Sequence, residues 1–226
     1  KGRLKLVADM VPACETVSDV GTDHAYVPIF LIEHKICKKA IATDVKAGPI
    51  DKARKNIMQY KMEDFIDTRI GDGLEPLDEK EIDIIIIAGM GGLLIRNIIS
   101  KSFKKGQIAK KLILQPMNAI EVLREWLYKN GFDISDEGLA QEDGKIYNVL
   151  AVEWTGLRKQ FDEVYYHIGE RLLEKHDPLL KEHLERKIRQ FDKAINGLSM
   201  AEEKDVEAIS GKMKLREDTV KILKNL

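Results

Sequence analysis

The run Asp19-Val20-Gly21-Thr22-Asp23-His24-Ala25-Tyr26 gathers two carboxylates, an imidazole and a phenol around a single glycine. A carboxylate beside an imidazole can hold or move a proton, and a phenol ring can stack on an unpaired base. Asp44 follows Gly21 by about twenty residues, the spacing at which an acid can accept both hydroxyls of a ribose, and Val45 comes directly after it. Gly71-Asp72-Gly73 offers a carboxylate that could accept from an adenine amino group, or could simply make a tight turn. Ala88-Gly89-Met90-Gly91-Gly92 opens backbone space, and Gln115-Pro116-Met117 brings an amide to the corresponding place in a fifth segment. Each is weak alone, but a shared location would make them a site for a nucleoside-containing ligand. The first loop does not match G-x-G-x-x-G, since only Gly21 of those glycines is present. That argues against a nicotinamide dinucleotide, whose pyrophosphate needs close backbone contact at a helix N-terminus.

A shared location follows if each segment closes a strand. Five β-branched runs precede them: Thr16–Val20, Ala40–Thr43, Thr68–Ile70, Ile82–Ile87 and Lys111–Leu114. Helical periods lie between most of the runs, which is the signature of βαβ units and a parallel sheet. Val27 with Ile29 to Ile32 predicts one helix. Ile50, Ala53, Ile57 and Met58 predict another, opening at Pro49 as its first residue. Ile120, Leu123 and Leu127, closed by Gly131, predict a third. The period then changes to two through Phe132–Ser135 and Tyr147–Val152, around the hairpin dipeptide Asp143-Gly144. The expected fold is α/β, a Rossmann-like parallel sheet ending in an antiparallel hairpin, whose carboxyl edge would carry all five segments.

From Gly156 onward there is neither a convincing strand nor a glycine-rich loop, so two domains are expected, residues 1–155 and 156–226. Phe161, Tyr165, Ile168 and Leu172 predict a helix, and Asp177-Pro178 an N-cap and first residue where it restarts. Leu184, Ile188, Phe191, Ile195 and Leu198 continue it, with Gly197 as its end. Ser199 and Glu202 read as a capping box for a last helix with a stripe of Val206, Ile209, Met213, Val220 and Leu223. These helices are expected to form an antiparallel coiled-coil hairpin.

Composition narrows the function. Lys and Arg number 37 against 38 Asp and Glu, a net charge of −1, so a globally basic polyanion binder is excluded and only a local basic patch remains. Lys101, Lys104, Lys105, Lys110 and Lys111 are the candidate patch, and a solvated face is the competing reading. No apolar run approaches the length of a membrane span, and the start Lys1-Gly2-Arg3-Leu4 has no apolar h-region, so a cytoplasmic protein is expected. Two cysteines, Cys14 and Cys37, build neither a disulfide framework nor a CxxC metal site, and no metal is expected.

Taken in order, Asp19-Val20-Gly21-Thr22-Asp23-His24-Ala25-Tyr26-Val27-Pro28, Asp44, Gly71-Asp72-Gly73, Gly89-Met90-Gly91-Gly92 and Gln115-Pro116-Met117 resemble the TrmK family of bacterial tRNA adenine-N1 methyltransferases. The resemblance spans nearly the whole chain. Its first loop departs from the wider D-x-G-x-G-x-G methyltransferase pattern, with Asp23 and Ala25 where glycines are usual. The resemblance implies a class I methyltransferase using S-adenosyl-L-methionine on N1 of adenine 22 of tRNA. It implies that Gly21 and its neighbours line the methionine moiety, that Asp44 holds the ribose and that Asp72 with Gly73 flanks the adenine, with Asp19, Thr22, Val45, Gly71, Gly89, Met90 and Gly91 as further cofactor contacts. Asp23, with His24 second to it, is the candidate proton acceptor, and Tyr26 the stacking ring; the competing readings are a cofactor amino-group contact for Asp23, a loop-orienting role for His24 and a core aromatic for Tyr26. Gln115, Pro116, Lys104 and Lys105 are the expected substrate contacts, and a monomer is favoured. A small-molecule methyltransferase and a cofactor-binding regulatory module that recruits a partner through its helices are the competing readings.

Overall fold

Ile84, Ile85, Ile86 and Ile87 are all buried, the pattern of a central strand with helices on both faces of a sheet. They belong to the fourth of seven strands in the computed structural model, which describes residues 2–201 and 205–226. The strands are β1 (Cys14–Val20), β2 (Cys37–Asp44), β3 (Ile66–Ile70), β4 (Ile84–Met90), β5 (Lys111–Pro116), β6 (Phe132–Glu142) and β7 (Lys145–Trp154). Among them run α1 (Arg3–Asp9), α2 (Tyr26–Glu33), α3 (Ala47–Gln59), α4 (Gly92–Lys101), α5 (Phe103–Ile108) and α6 (Ile120–Lys129). The sheet order is β3-β2-β1-β4-β5-β7-β6. Its first five strands are parallel, and β7 runs antiparallel to both β5 and β6.

Asp143 and Gly144 both take positive φ, 48° and 70°, the backbone that a two-residue hairpin requires. The antiparallel pair is longer than its apolar alternation suggests, because Asp136–Glu142 pairs with Lys145–Ala151 beyond a bulge at Ile134/Asp136. Pro49 is the third residue of α3 rather than the first; its missing N–H costs nothing anywhere in the first turn. Cys14 and Cys37 are register partners on β1 and β2, half-buried and buried respectively.

The chain divides into two compact units, Lys1–Lys159 and Gln160–Leu226. The second holds α7 (Glu163–Ile168), α8 (Glu170–Glu174), α9 (Leu180–Met200) and α10 (Val206–Lys224). Gly169, at φ 87°, breaks the expected helix over 161–172 into α7 and α8. Asp177 accepts the Leu179 N–H at 2.9 Å, and α9 begins only at Leu180, after Pro178. α9 and α10 pair antiparallel: Arg216 bonds Asp192, and Lys212 lies over the Phe191 ring at 6.0 Å.

Three expectations for these helices change. Ser199 lies inside α9, Glu202 falls outside the described residues, and α10 is capped by Asp205, which accepts the Ala208 N–H at 2.9 Å. Leu215 and Thr219 are the buried residues of α10; of the expected stripe Ile209, Val220 and Leu223 are half-buried, while Val206 and Met213 are exposed. Gly197 sits within α9 with open space where a Cβ would be. Its backbone is already helical, so Gly197→Ala removes unfolded-state freedom without strain. Thermal or denaturant unfolding should show a gain of about 0.5–1 kcal/mol, and a loss would mean the helix does not run through residue 197.

Candidate active site

Parallel strands align their carboxyl ends, so the loops after β3, β2, β1, β4 and β5 lie side by side along one edge of the sheet. The loop after β1 hangs from β2, because the Gly21 and Thr22 N–H groups donate to the Thr43 carbonyl at 2.8 and 2.9 Å. Thr22 is buried, and its hydroxyl accepts the Ala25 N–H at 3.0 Å. Ala25 is held at φ 55°, a conformation costing a non-glycine residue about 1–3 kcal/mol. The strained corner turns Asp23 and Tyr26 outward: the Asp23 side chain is 59% exposed, and Tyr26 is 54% exposed rather than a core ring. His24 connects them, with its Nε2 3.1 Å from the Asp23 carboxylate and its ring stacked on Tyr26 at 5.1 Å.

Two residues of α3 hold this corner. Lys52 donates to Asp23 at 3.1 Å, and the Asn56 amide donates to the His24 carbonyl at 2.9 Å. They are four residues apart and therefore share a helix face. Sequence reading passed over both, although that spacing directly after the strand ending in Asp44 was a readable signal.

The neighbouring loops leave room for a nucleoside. Asp44 accepts the Lys46 N–H through Oδ1 at 2.7 Å, and among the described residues its other oxygen has no partner. Val45 beside it is exposed. Gly71 is tied to β2 by an N–H bond to the Asp44 carbonyl at 3.0 Å, and Gly73 turns at φ 55°. Asp72 pairs with Lys101 at 2.9 Å, and an exposed pair of this kind is worth about 0–1 kcal/mol and yields readily to a ligand. A side chain on Gly21 (φ 80°) would overlap the Met90 methyl, so bare backbone faces Met90 across the β1–β4 boundary. A nucleoside cofactor therefore fits: open glycine backbone, the Asp44 carboxylate at the end of β2, and a second acid, Asp72, in the loop after β3.

Asp19 lies beneath this strip, buried, and burial pushes its carboxyl up to about 6 against a bond to Thr22 that lowers it. A folded-state pKa above the unfolded value favours the protonated form, so the folded state loses stability as pH rises through about 6. Asp19→Asn should match the parent at pH 4 and exceed it by about 2–3 kcal/mol at pH 8. Denaturant titrations at both pH values measure this, and a pH-independent difference would reject it.

The loops after β4 and β5 are laced together. Gly89 N–H donates to the Gln115 Oε1 at 3.1 Å, Met117 N–H to the Met90 carbonyl at 2.8 Å, and Gly92 N–H to the Asn118 carbonyl at 3.0 Å. Gly91 lies beside the Asn118 side chain, and a Cβ on Gly92 would be 2.5 Å from the Ala119 carbonyl oxygen. Gln115 and Pro116 are fully or nearly buried. The Gln115 amide bonds Gly89, Arg3 and the Pro116 carbonyl, so it braces the rim from below instead of reaching a substrate. Met117 and Asn118 are the exposed residues there.

The lysine run separates. Lys101 bridges Asp72 and Glu75, Lys104 pairs with Glu79 at 2.8 Å, and Lys105 donates to the Leu74 and Glu75 carbonyls. Lys110 and Lys111 stand at the start of β5, the opposite edge of the sheet, paired with Asp83 and Glu153. The run is therefore not one electropositive patch: acids distant in sequence neutralise most of it. A cavity of about 650 Å³ lined by Lys39, Arg54, Phe65 and Arg69 runs along β3 and contains none of the loop residues above. Among the described residues, no three His, Cys, Asp or Glu side chains are placed to hold a metal, and no helix is long and apolar enough to cross a membrane.

Comparison with known proteins agrees with this geometry. A family model described as a methyltransferase domain matches residues 1–150. The chain is 39% identical over 151 residues to the tRNA (adenine(22)-N(1))-methyltransferase of Bacillus subtilis, a match covering 67% of this chain and 63% of that relative, just under two thirds of its length. A Streptococcus pneumoniae structure described as a putative tRNA (m1A22) methyltransferase in complex with S-adenosyl-L-methionine superposes with a TM-score of 0.85 at 32% identity, covering 98% of each chain. The crystal structure of the B. subtilis enzyme TrmK superposes with a TM-score of 0.82 at 31% identity over 99% of this chain and 96% of that one. With the loops, the sheet order and the helical second unit all accounted for, the chain belongs to the TrmK family of methyltransferases.

Proposed function

We propose that this protein transfers a methyl group from S-adenosyl-L-methionine to N1 of adenine 22 in tRNA. The observation that carries the reading is the exposed Asp23–His24–Tyr26 group beside a nucleoside-sized strip of backbone and carboxylates on the same sheet edge. The B. subtilis relative is named for this reaction, and the S. pneumoniae relative holds this cofactor. Residues 1–155 form the methyltransferase domain in this reading and 156–226 the helical domain.

The cofactor supplies a methyl already activated on a sulfonium. Asp44 and Val45 receive the ribose, Gly71, Asp72 and Gly73 the adenine, and Asp19, Gly21, Thr22, Gly89, Met90 and Gly91 border the methionine end. The protein's work is to hold N1 in line with the methyl and exclude water. Tyr26 stacks on the extruded base. The electron pair of N1 makes the new bond to carbon while the carbon–sulfur pair returns to sulfur, leaving positive charge on the base. Asp23 balances that charge and accepts the N6 proton, with His24 and Lys52 setting its position.

The helical unit meets tRNA phosphates through the α9 residues Arg186, Arg189 and Lys193, spaced three and four apart on a single helix face. The protein acts as a cytoplasmic monomer. A small-molecule methyltransferase and a cofactor-binding regulator remain distinguishable by turnover on RNA.

The test is methyl transfer from labelled S-adenosyl-L-methionine to total tRNA transcripts with nucleoside analysis of the product. 1-Methyladenosine is the expected product. Cofactor binding without methylation of any tRNA base would remove the tRNA reading and advance the other two.

A further inference from the structure

The chain's two cysteines stand at the start of neighbouring strands, at the opposite end of the sheet from the strand-end loops. Cys14 opens β1 and Cys37 opens β2, and the two are direct register partners of that parallel pair. The Cys14 N–H donates to the Ile36 carbonyl at 3.0 Å, which fixes the register from the first residue. Register partners in a parallel pair project to the same face, and neighbouring strands lie about 4.8 Å apart. A disulfide closes across Cα separations of about 4.4–6.8 Å, so this pair can be bridged with the two strands where they are.

The two thiols differ in setting. Cys37 is 4% exposed, while Cys14 is half-buried. The Cys37 thiol donates to the Cys14 sulfur, and that bond holds Cys14 below the ordinary thiol value against burial and the charges of Asp83 and Glu15, with Lys110 acting in the same direction as the bond. The same bond, together with burial, pushes Cys37 upward. Lys110 pairs with Asp83 at 2.8 Å and Lys38 with Glu15 at 2.7 Å, so the surrounding charges largely cancel and the bond between the thiols decides. A solvent-reached thiolate beside a buried thiol is the arrangement of an attacking and a resolving cysteine.

We propose that Cys14 and Cys37 form a reversible oxidation site, which takes a peroxide as its oxidant and closes a disulfide between β1 and β2. The Cys14 thiolate attacks the peroxide: a sulfur–oxygen bond forms, the oxygen–oxygen bond breaks, and hydroxide leaves and is protonated by solvent. The Cys37 sulfur then attacks the Cys14 sulfur and gives up its proton, while the sulfur–oxygen bond breaks and water leaves. Two thiols are oxidised and one peroxide is reduced to water; a thiol reductant reverses the bridge. Gly21, Thr22, Asp23, His24 and Tyr26 all lie between the two cysteines, so the bridge pins both ends of the segment that carries the corner of the candidate active site.

The experiment treats the folded full chain with hydrogen peroxide and reads intact mass, peptide map and free thiols. The expected product is an intramolecular Cys14–Cys37 disulfide, lighter by two hydrogens and undone by dithiothreitol. Its urea midpoint should shift to higher concentration, because the bridge closes a loop in the unfolded chain. Cys37→Ser should stop at a Cys14 sulfenic acid that dimedone captures, and Cys14→Ser should leave Cys37 reduced. Oxidation of Cys14 to the sulfinic acid in the parent, with Cys37 still a free thiol, would overturn the pairing. Thiols that stay free until urea is added would make both cysteines inert core residues and overturn the site itself, and a disulfide formed between chains would overturn it too. The map of the parent decides the matter if either variant fails to fold.

Discussion

Asp23→Ala should lower kcat for tRNA methylation by about 10²–10⁴-fold, the range typical of a positioned proton-transfer group, while the dissociation constant for S-adenosyl-L-methionine stays within a factor of about two. The expectation follows from where Asp23 stands. Gly21 and Thr22, two residues before it, are fixed to β2 by backbone bonds, and these remain when the Asp23 side chain is removed. The carboxylate is exposed two residues before the strained corner at Ala25, joined through His24 to the exposed Tyr26. Nothing buried depends on it, because its partners Lys52 and His24 are themselves 55% and 35% exposed. Asp23→Asn separates charge from hydrogen bonding. It keeps an acceptor for an N6 hydrogen but cannot neutralise the methylated base, so its kcat should resemble that of Asp23→Ala. Single-turnover methylation with saturating cofactor measures the effect. A kcat within threefold of the parent, with weakened cofactor binding, would reassign Asp23 to recognition of the cofactor.

The second large effect concerns stability. Arg124 of α6 and Glu137 of β6 form an ion pair in which both side chains are only 1% exposed, and the Asn148 amide donates to the same Glu137 carboxylate at 3.2 Å. Removing one partner of a buried pair strands the other in an apolar setting. Arg124→Met should therefore cost about 3–5 kcal/mol, read as a shift in the urea midpoint of unfolding. Replacing both, as Arg124→Met with Glu137→Leu, should recover most of that loss because no charge is left uncompensated. A single-mutant cost below about 1 kcal/mol would mean that water reaches the pair, contrary to its burial.

Strands and the hairpin could be read because their signals are local. Isoleucine runs mark a buried strand, and Asp143-Gly144 marks a two-residue turn whatever lies elsewhere in the chain. The loops at the strand ends were readable for the same reason, since a parallel sheet aligns them once the strands are known. What escaped depends on partners distant in sequence. Lys101, Lys104 and Lys110 read as a basic run until Glu75, Glu79 and Asp83 fold against them. Gln115 read as a substrate contact until Gly89 and Arg3 engaged its amide from two other elements. Gly197 read as a helix end by composition, but α9 runs on through it to Met200, since a single glycine costs a helix only about 1 kcal/mol. Asp205 was a better cap than Ser199 only because of where α10 begins.

The strand order has a consequence for how the protein comes into being. β1 and β4 are neighbours in the sheet but are separated in the chain by two complete strand–helix crossovers. The boundary between Gly21 and Met90 cannot close on an emerging chain until β4 has left the ribosome, and its brace from Gln115 comes later still. Loop-closure entropy makes such long-range pairing a late event in folding. Cofactor affinity is therefore a property of the finished sheet and not of any fragment. In refolding from denaturant, ligand capture should appear after backbone helicity has returned, which makes cofactor binding a sensor of completed folding.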